Sequence, residues 1–103
     1  MKHDFFIKSR ILPLFDEGKL LEIKTATARF KSVKVGDEIV FNWSVTRTVK
    51  AIRRYPSFVA MGSREKPEHI LPGATMGQII EVLREIYSPE QEKKGVLVFE
   101  LPP

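Results

Sequence analysis

The chain has 103 residues, 43% of them apolar, enough to pack one ordinary domain (residues 1–103) and too few for a second independent core. The absence of cysteine excludes disulfides, thiol catalysis and thiolate zinc sites and fits a reducing interior, so the cytoplasm is the expected compartment. A formal charge of +4 favours polyanionic partners without establishing one, and no apolar run approaches the ~20 residues of a spanning helix, so neither export nor a membrane is expected.

The first element is a buried strand over His3 to Lys8, carried by Phe5-Phe6-Ile7. Ser9 can cap a short helix whose apolar face is Ile11, Leu12, Leu14 and Phe15 and whose stop is Gly18. After Gly18 comes a strand in which Leu21 and Ile23 share one face while Glu22 and Lys24 share the other, because strand side chains alternate. Residues 25–34 have no clean period and read as a polar loop. Gly36-Asp37 opens a second short strand, and Asn42-Trp43-Ser44 connects it to a longer one, Ser44 to Tyr55, rich in β-branched residues. Trp43 beside this turn reads first as a lid over one end of the fold and second as a base-stacking platform.

Pro56 ends the long strand, and Ser57 can cap a helical turn through Phe58, Val59 and Met61; a further short helical piece spans Lys66 to Ile70. The strongest helix follows: Met76, Ile79, Ile80, Leu83, Ile86 and Tyr87 recur every three or four residues as a core stripe, opened by a Thr75/Gln78 capping box and closed by Ser88-Pro89. Gly95 to Leu101 is apolar on both faces, as in a central strand covered on both sides. Together these elements predict an α+β fold with a small, mostly antiparallel sheet of about five strands curled toward a barrel, with helices packed on it.

The sequence Gly18-Lys19-x-x-Glu22-x-Lys24, then Gly36-Asp37-x-Ile39-x-Phe41, the long Val/Thr strand, Tyr55-x-Ser57-Phe58, the helix ending Ile86-Tyr87 and the final Gly95-Val96-Leu97-Val98 resemble the ASCH domain over nearly the whole chain. The resemblance implies a PUA-like β-barrel and binding of RNA or a nucleotide-like small molecule; no cofactor is expected. The family pattern is approximately G-x-K-x-x-E-x-R, with the lysine, the acid and the final base lining a cleft. Lys19 and Glu22 match it, Lys24 stands for the arginine and loses the planar fork, and one residue is missing between Gly18 and Lys19. By this resemblance the ligand contacts are Lys19, Glu22, Lys24 and Thr25.

One branch of the family resembles a small amidohydrolase that deacylates N-acylated cytidine through a lysine, a threonine and a glutamate. Carried over, Lys19 matches the lysine, Glu22 occupies the threonine position, and the acid falls near Pro72-Gly73. If the chain is an enzyme, Lys19 and Glu22 are the catalytic pair, with Thr25 or Thr27 as a hydroxyl source and Glu68 as a substitute acid. Whether it is one is left open.

The plainer alternatives stand beside these readings. Lys19, Glu22 and Lys24 could be an exposed, salt-bridged strand edge contributing ~0–1 kcal/mol. Arg29, Lys31, Arg47, Lys50, Arg53 and Arg54 are candidate RNA contacts, but alternation puts positions 47 and 53 on one face and 50 and 54 on the other. A third class, a protein-interaction domain, would dock through Trp43 and Tyr55. His3 and His69 have no metal-ligand spacing. One asparagine and two glutamines against abundant Lys and Glu point to a heat-adapted protein.

Overall fold

A computed structural model describes residues 1–103. Six strands, β1 (Lys2–Phe5), β2 (Leu21–Thr25), β3 (Glu38–Phe41), β4 (Val45–Thr48), β5 (Ala51–Tyr55) and β6 (Val96–Glu100), form two three-stranded sheets in the orders β1-β3-β4 and β2-β6-β5. All pairs are antiparallel except β1 with β3. Six strands in two sheets replace the expected five in one. The long strand predicted over Ser44 to Tyr55 is divided at Val49-Lys50, where the chain passes from the first sheet to the second: Val49 N–H donates to Asp37 O, and Lys50 N–H to Glu100 O.

The strand β6 organises the core because both its faces are apolar. Leu97, Phe99 and Leu101 enter the space between the sheets with Phe5, Phe15, Ile39, Phe41 and Val49, while Val96 and Val98 meet the helices with Leu21, Ile23, Phe58, Met61, Ile70, Ile79 and Leu83. The fold is therefore three layers: sheet, sheet, helices. The helices are α1 (Ala28–Lys31), α2 (Phe58–Gly62), α3 (Pro67–Ile70), α4 (Met76–Ile86) and α5 (Pro89–Lys93). The predicted Ser57 and Thr75/Gln78 caps are present, and a second capping box, Ser88 with Gln91, starts α5 where only a helix end was expected. A helical turn, α1, replaces part of the polar loop.

Near the N-terminus the fold departs from the sequence reading in two ways that matter for the site. The helix after β1 is a 3-10 helix, Ser9–Asp16, with Pro13 inside it and no side-chain cap from Ser9. The first strand ends at Phe5, so Phe6 is 55% exposed instead of buried. What holds the segment beyond it is Asn42, whose side chain accepts from Ile7 N–H at 2.9 Å and donates to Ile7 O at 2.7 Å, completing backbone bonds that no strand supplies.

Asn42 and Trp43 are the central residues of the β3–β4 turn, closed by Ser44 N–H to Phe41 O at 2.9 Å. Both have positive φ, 50° and 57°, the type I′ geometry that matches strand twist and ordinarily takes Asn-Gly. A bulky side chain in this region costs about 1 kcal/mol or more. Trp43 is 80% exposed, so it is not a lid over the core; the Arg47 guanidinium lies 5.6 Å from the ring of Phe15, which is itself buried in the inter-sheet core. No helix is long and apolar enough to cross a membrane.

Candidate ligand-binding cleft

Because β2 is an edge strand, one side of it is open, and a cleft of about 400 Å³ runs along that edge. One wall is the Phe6–Ile11 segment; the other is the end of α3 with Ile79, Val82, Leu83, Ile86 and Tyr87 on or beside α4. The floor is Lys19, Glu22 and Lys24. Of the charged lining, four side chains are cationic (Lys8, Arg10, Lys19, Lys24) and one, Glu22, is anionic.

The floor residues form a buried ion cluster and not the exposed strand edge that composition alone favours: Lys19 is 3% exposed and Glu22 8%. Lys19 Nζ donates to Leu21 O at 2.6 Å and to Ile70 O at 2.8 Å, and lies 3.1 Å from Glu22 Oε1. An ammonium has three protons, and all three of Lys19 are thereby engaged. Lys24 Nζ lies 3.1 Å from Glu22 Oε2 and rests 5.4 and 5.6 Å from the ring centroids of Phe5 and Phe30. Burial pushes the Glu22 carboxyl up, but Lys24 and Lys19 more than offset this by charge and hydrogen bonding and hold it below the ordinary carboxylate value. Burial likewise pulls Lys24 down, and Glu22 and Tyr87 reverse it, leaving the ammonium above its usual value. Glu22 and Lys24 are therefore both ionised at neutral pH, and the cluster sets two lysines against one carboxylate.

Burial raises the Tyr87 phenol, a shift that Lys24 opposes, so the group stays neutral. Tyr87 lines the cleft beside Lys24, so its hydroxyl is available to a ligand. A carboxylate has about four acceptor sites, so Glu22 keeps acceptor capacity beyond its two lysines. The cleft thus offers an acceptor next to donors between largely apolar walls.

The other predicted residues are distributed differently. Thr25 shares the parity of Leu21 and Ile23, so its side chain turns to the helix layer, where it is wholly buried with a hydroxyl that has no partner; it does not line the cleft. The six candidate RNA contacts do not form one stripe, because Arg47 belongs to the first sheet and Arg53 and Arg54 to the second. Arg53 grips Glu65 through Nε and Nη2 at 2.7 and 2.9 Å and Glu100 through Nη1 at 2.8 Å. Arg54 donates to Lys94 O, Arg29 to Asp4 O, Arg47 to Thr46 O, and Lys50 lies 3.7 Å from Glu100. Lys31 is exposed. Tyr55, the predicted docking residue, hydrogen-bonds Glu65. His3 pairs with Asp37 at 2.8 Å, and no three His, Asp or Glu side chains converge as a metal site.

Sequence reasoning missed Phe6, Lys8, Arg10, Ile86 and Tyr87 as cleft residues. One signal was present: a tyrosine closing an aliphatic stripe needs a partner for its hydroxyl when it packs inward.

No protein-family profile matches the chain, and no curated protein does. Solved structures do. The hypothetical protein PH0355, known from a crystal structure, is 32% identical with a TM-score of 0.91, over 100% of this chain and 99% of that one. Protein PF0455 from Pyrococcus furiosus, known from a solution NMR structure, is 34% identical with a TM-score of 0.84, over 100% of this chain and 97% of that one. Identity at this level along the whole length means that the chain belongs to the family of these two proteins.

Proposed function

We propose that the cleft along β2 binds a nucleotide-like small molecule or a single base of an RNA, in a domain of the ASCH type with a PUA-like barrel. The observation that carries this is the buried Lys19–Glu22–Lys24 cluster on the cleft floor. Lys19 spends its protons fixing Glu22 and two carbonyls, so Glu22, Lys24 and Tyr87 are the groups left to meet a ligand: an acceptor flanked by donors, the pattern that reads a base edge. The excess cation and the neighbouring Lys8 and Arg10 suit a phosphate. The barrel reading is supported by the passage of one strand from sheet to sheet at Val49-Lys50 and by the core shared between the sheets.

The alternative is deacylation of N-acylated cytidine by Lys19 and Glu22. It draws less support, since two carbonyls and Glu22 engage the three donors of the Lys19 ammonium and leave none aimed at a substrate, and Thr25 does not line the cleft.

The test is a thermal-shift and calorimetric screen of nucleosides, nucleotides and short RNAs, because a ligand of the folded state raises its stability. A hit should weaken by roughly 10- to 150-fold in Lys24→Met, the loss of a charged hydrogen bond of about 1.5–3 kcal/mol. If none stabilises the protein, or Lys24→Met binds as the parent does, the cleft reading fails. Free cytidine released from an acylated form, and lost in Glu22→Gln, would favour the enzyme instead.

A further inference from the structure

Next to the cleft lies a feature that base binding at the floor does not use. Phe6, which lines the cleft, meets Trp43 with ring centroids 4.9 Å apart and planes at 62°. In this edge-type contact Phe6 covers little of the indole, and Trp43 remains 80% exposed. Folding economy does not explain the pair. Its contribution to the core is nil, and a tryptophan occupies the left-handed turn position that glycine would fill without strain.

The turn is nevertheless fixed to the cleft wall. Asn42, the residue before Trp43, holds the backbone of Ile7, the residue after Phe6, by two hydrogen bonds. Trp43 is therefore presented at a set position relative to the segment that carries Phe6, Lys8 and Arg10. An open aromatic face beside cationic side chains, with no carboxylate in the cleft lining apart from Glu22 on its floor, matches a base and its phosphate better than an apolar protein surface.

We propose that Trp43, backed by Phe6, is a stacking platform for a second base, so that the ligand is a single-stranded nucleic acid of at least two nucleotides, one base entering the cleft and its neighbour lying on the indole. This rests on the reading of the cleft as a base site and goes further by naming the class of polymer. Lys8 and Arg10 then face the linking phosphate.

The chain has one tryptophan, so its fluorescence reports this position alone. The experiment titrates the full chain with a nucleoside monophosphate and with the matching di- and trinucleotides, reading both heat and Trp43 emission. The dinucleotide should bind about 5- to 150-fold more tightly than the monophosphate, the range expected for one stacked base, and should quench the emission. Trp43→Ala should erase that gain while leaving monophosphate affinity unchanged, and Trp43→Phe should keep part of it. Trp43→Gly, which suits the turn, should behave as Trp43→Ala and so excludes a folding defect as the cause.

Equal affinity for one and two nucleotides with unchanged emission overturns the platform and leaves the cleft reading standing. No binding at any length overturns both. An emission already blue-shifted in the free protein, and moving with protein concentration, assigns the pair to self-association and also overturns the proposal.

Discussion

Replacing Lys19 by methionine tests whether the cluster is built around that lysine. The substitution keeps the length and apolar stem of the side chain but removes the ammonium that holds Leu21 O, Ile70 O and Glu22 Oε1. Glu22 keeps Lys24 as its partner, so the cost comes from the two buried carbonyls left without a donor, about 1–3 kcal/mol each and so about 2–6 kcal/mol together. Against a total stability of about 5–15 kcal/mol for a domain, this is a large fraction. With a urea m-value of about 1–3 kcal/mol/M, the unfolding midpoint should fall by roughly 1–6 M. Lys24→Met should cost much less, about 1–2 kcal/mol, because Lys19 and Glu22 remain as a neutral pair and the surplus cation, with its desolvation, is gone. One lysine is thus expected to govern stability and the other binding. Urea titrations of both variants, with unchanged m, decide it: Lys19→Met within about 1 kcal/mol of the parent, or a larger loss in Lys24→Met, would refute the reasoning.

Two further outcomes are expected. Glu22 titrates below its ordinary 4.5 in the folded chain, despite burial, through Lys24 and Lys19, and Asp37 is held at about 2 by hydrogen bonds from His3 and Lys34 N–H. Folded values below the unfolded ones mean that both carboxylates stabilise the fold above pH 4.5 and lose that contribution as pH falls through the folded values. Stability should therefore decline from about pH 4.5 downward; Glu22→Gln should lower it at neutral pH and flatten the upper part of the decline, and Asp37→Asn the part below 3.8. Denaturation curves across this range in which both variants keep the parent slope would contradict the assignment. A Cβ at Gly95, φ 109°, would lie 2.8 Å from Arg54 Nε and 3.2 Å from Nη2, so the Arg54 side chain would have to move aside. Gly95→Ala should cost about 1–3 kcal/mol, seen as a fall in Tm, and Arg54→Ala should rescue only part of it, since the backbone strain remains.

Where a signal is local, the sequence carried it. The α4 stripe and its capping box, the Ser57 cap and the two-faced strand β6 follow from periodicity and hydrogen-bonding chemistry within a few residues of each other, and they hold. The parity of β2 was equally legible. It placed Glu22 and Lys24 opposite Leu21 and Ile23, and the same parity put Thr25 on the apolar side, against its predicted role at the ligand. The Ser44–Tyr55 strand was misread as one piece because its β-branched run is continuous, whereas the break at Val49-Lys50 arises from partners distant in sequence, Asp37 and Glu100.

What the sequence by itself determined is the inventory: about five strand segments, one long amphipathic helix, and a Lys-x-x-Glu-x-Lys order beginning beside a glycine. What only the tertiary structure decided is where that order lies. A strand alternates wherever it is placed, but whether its charged face meets water or an apolar-walled cleft depends on which strand pairs with it and what packs across its free edge. Here β6 takes one edge of β2, and the Phe6–Ile11 segment and α4 wall in the other. Ile70 O, far along the chain, then completes the shell of Lys19. Long-range pairing turned three surface-like charges into a buried cluster, because local sequence sets the direction of a side chain and packing sets its solvent.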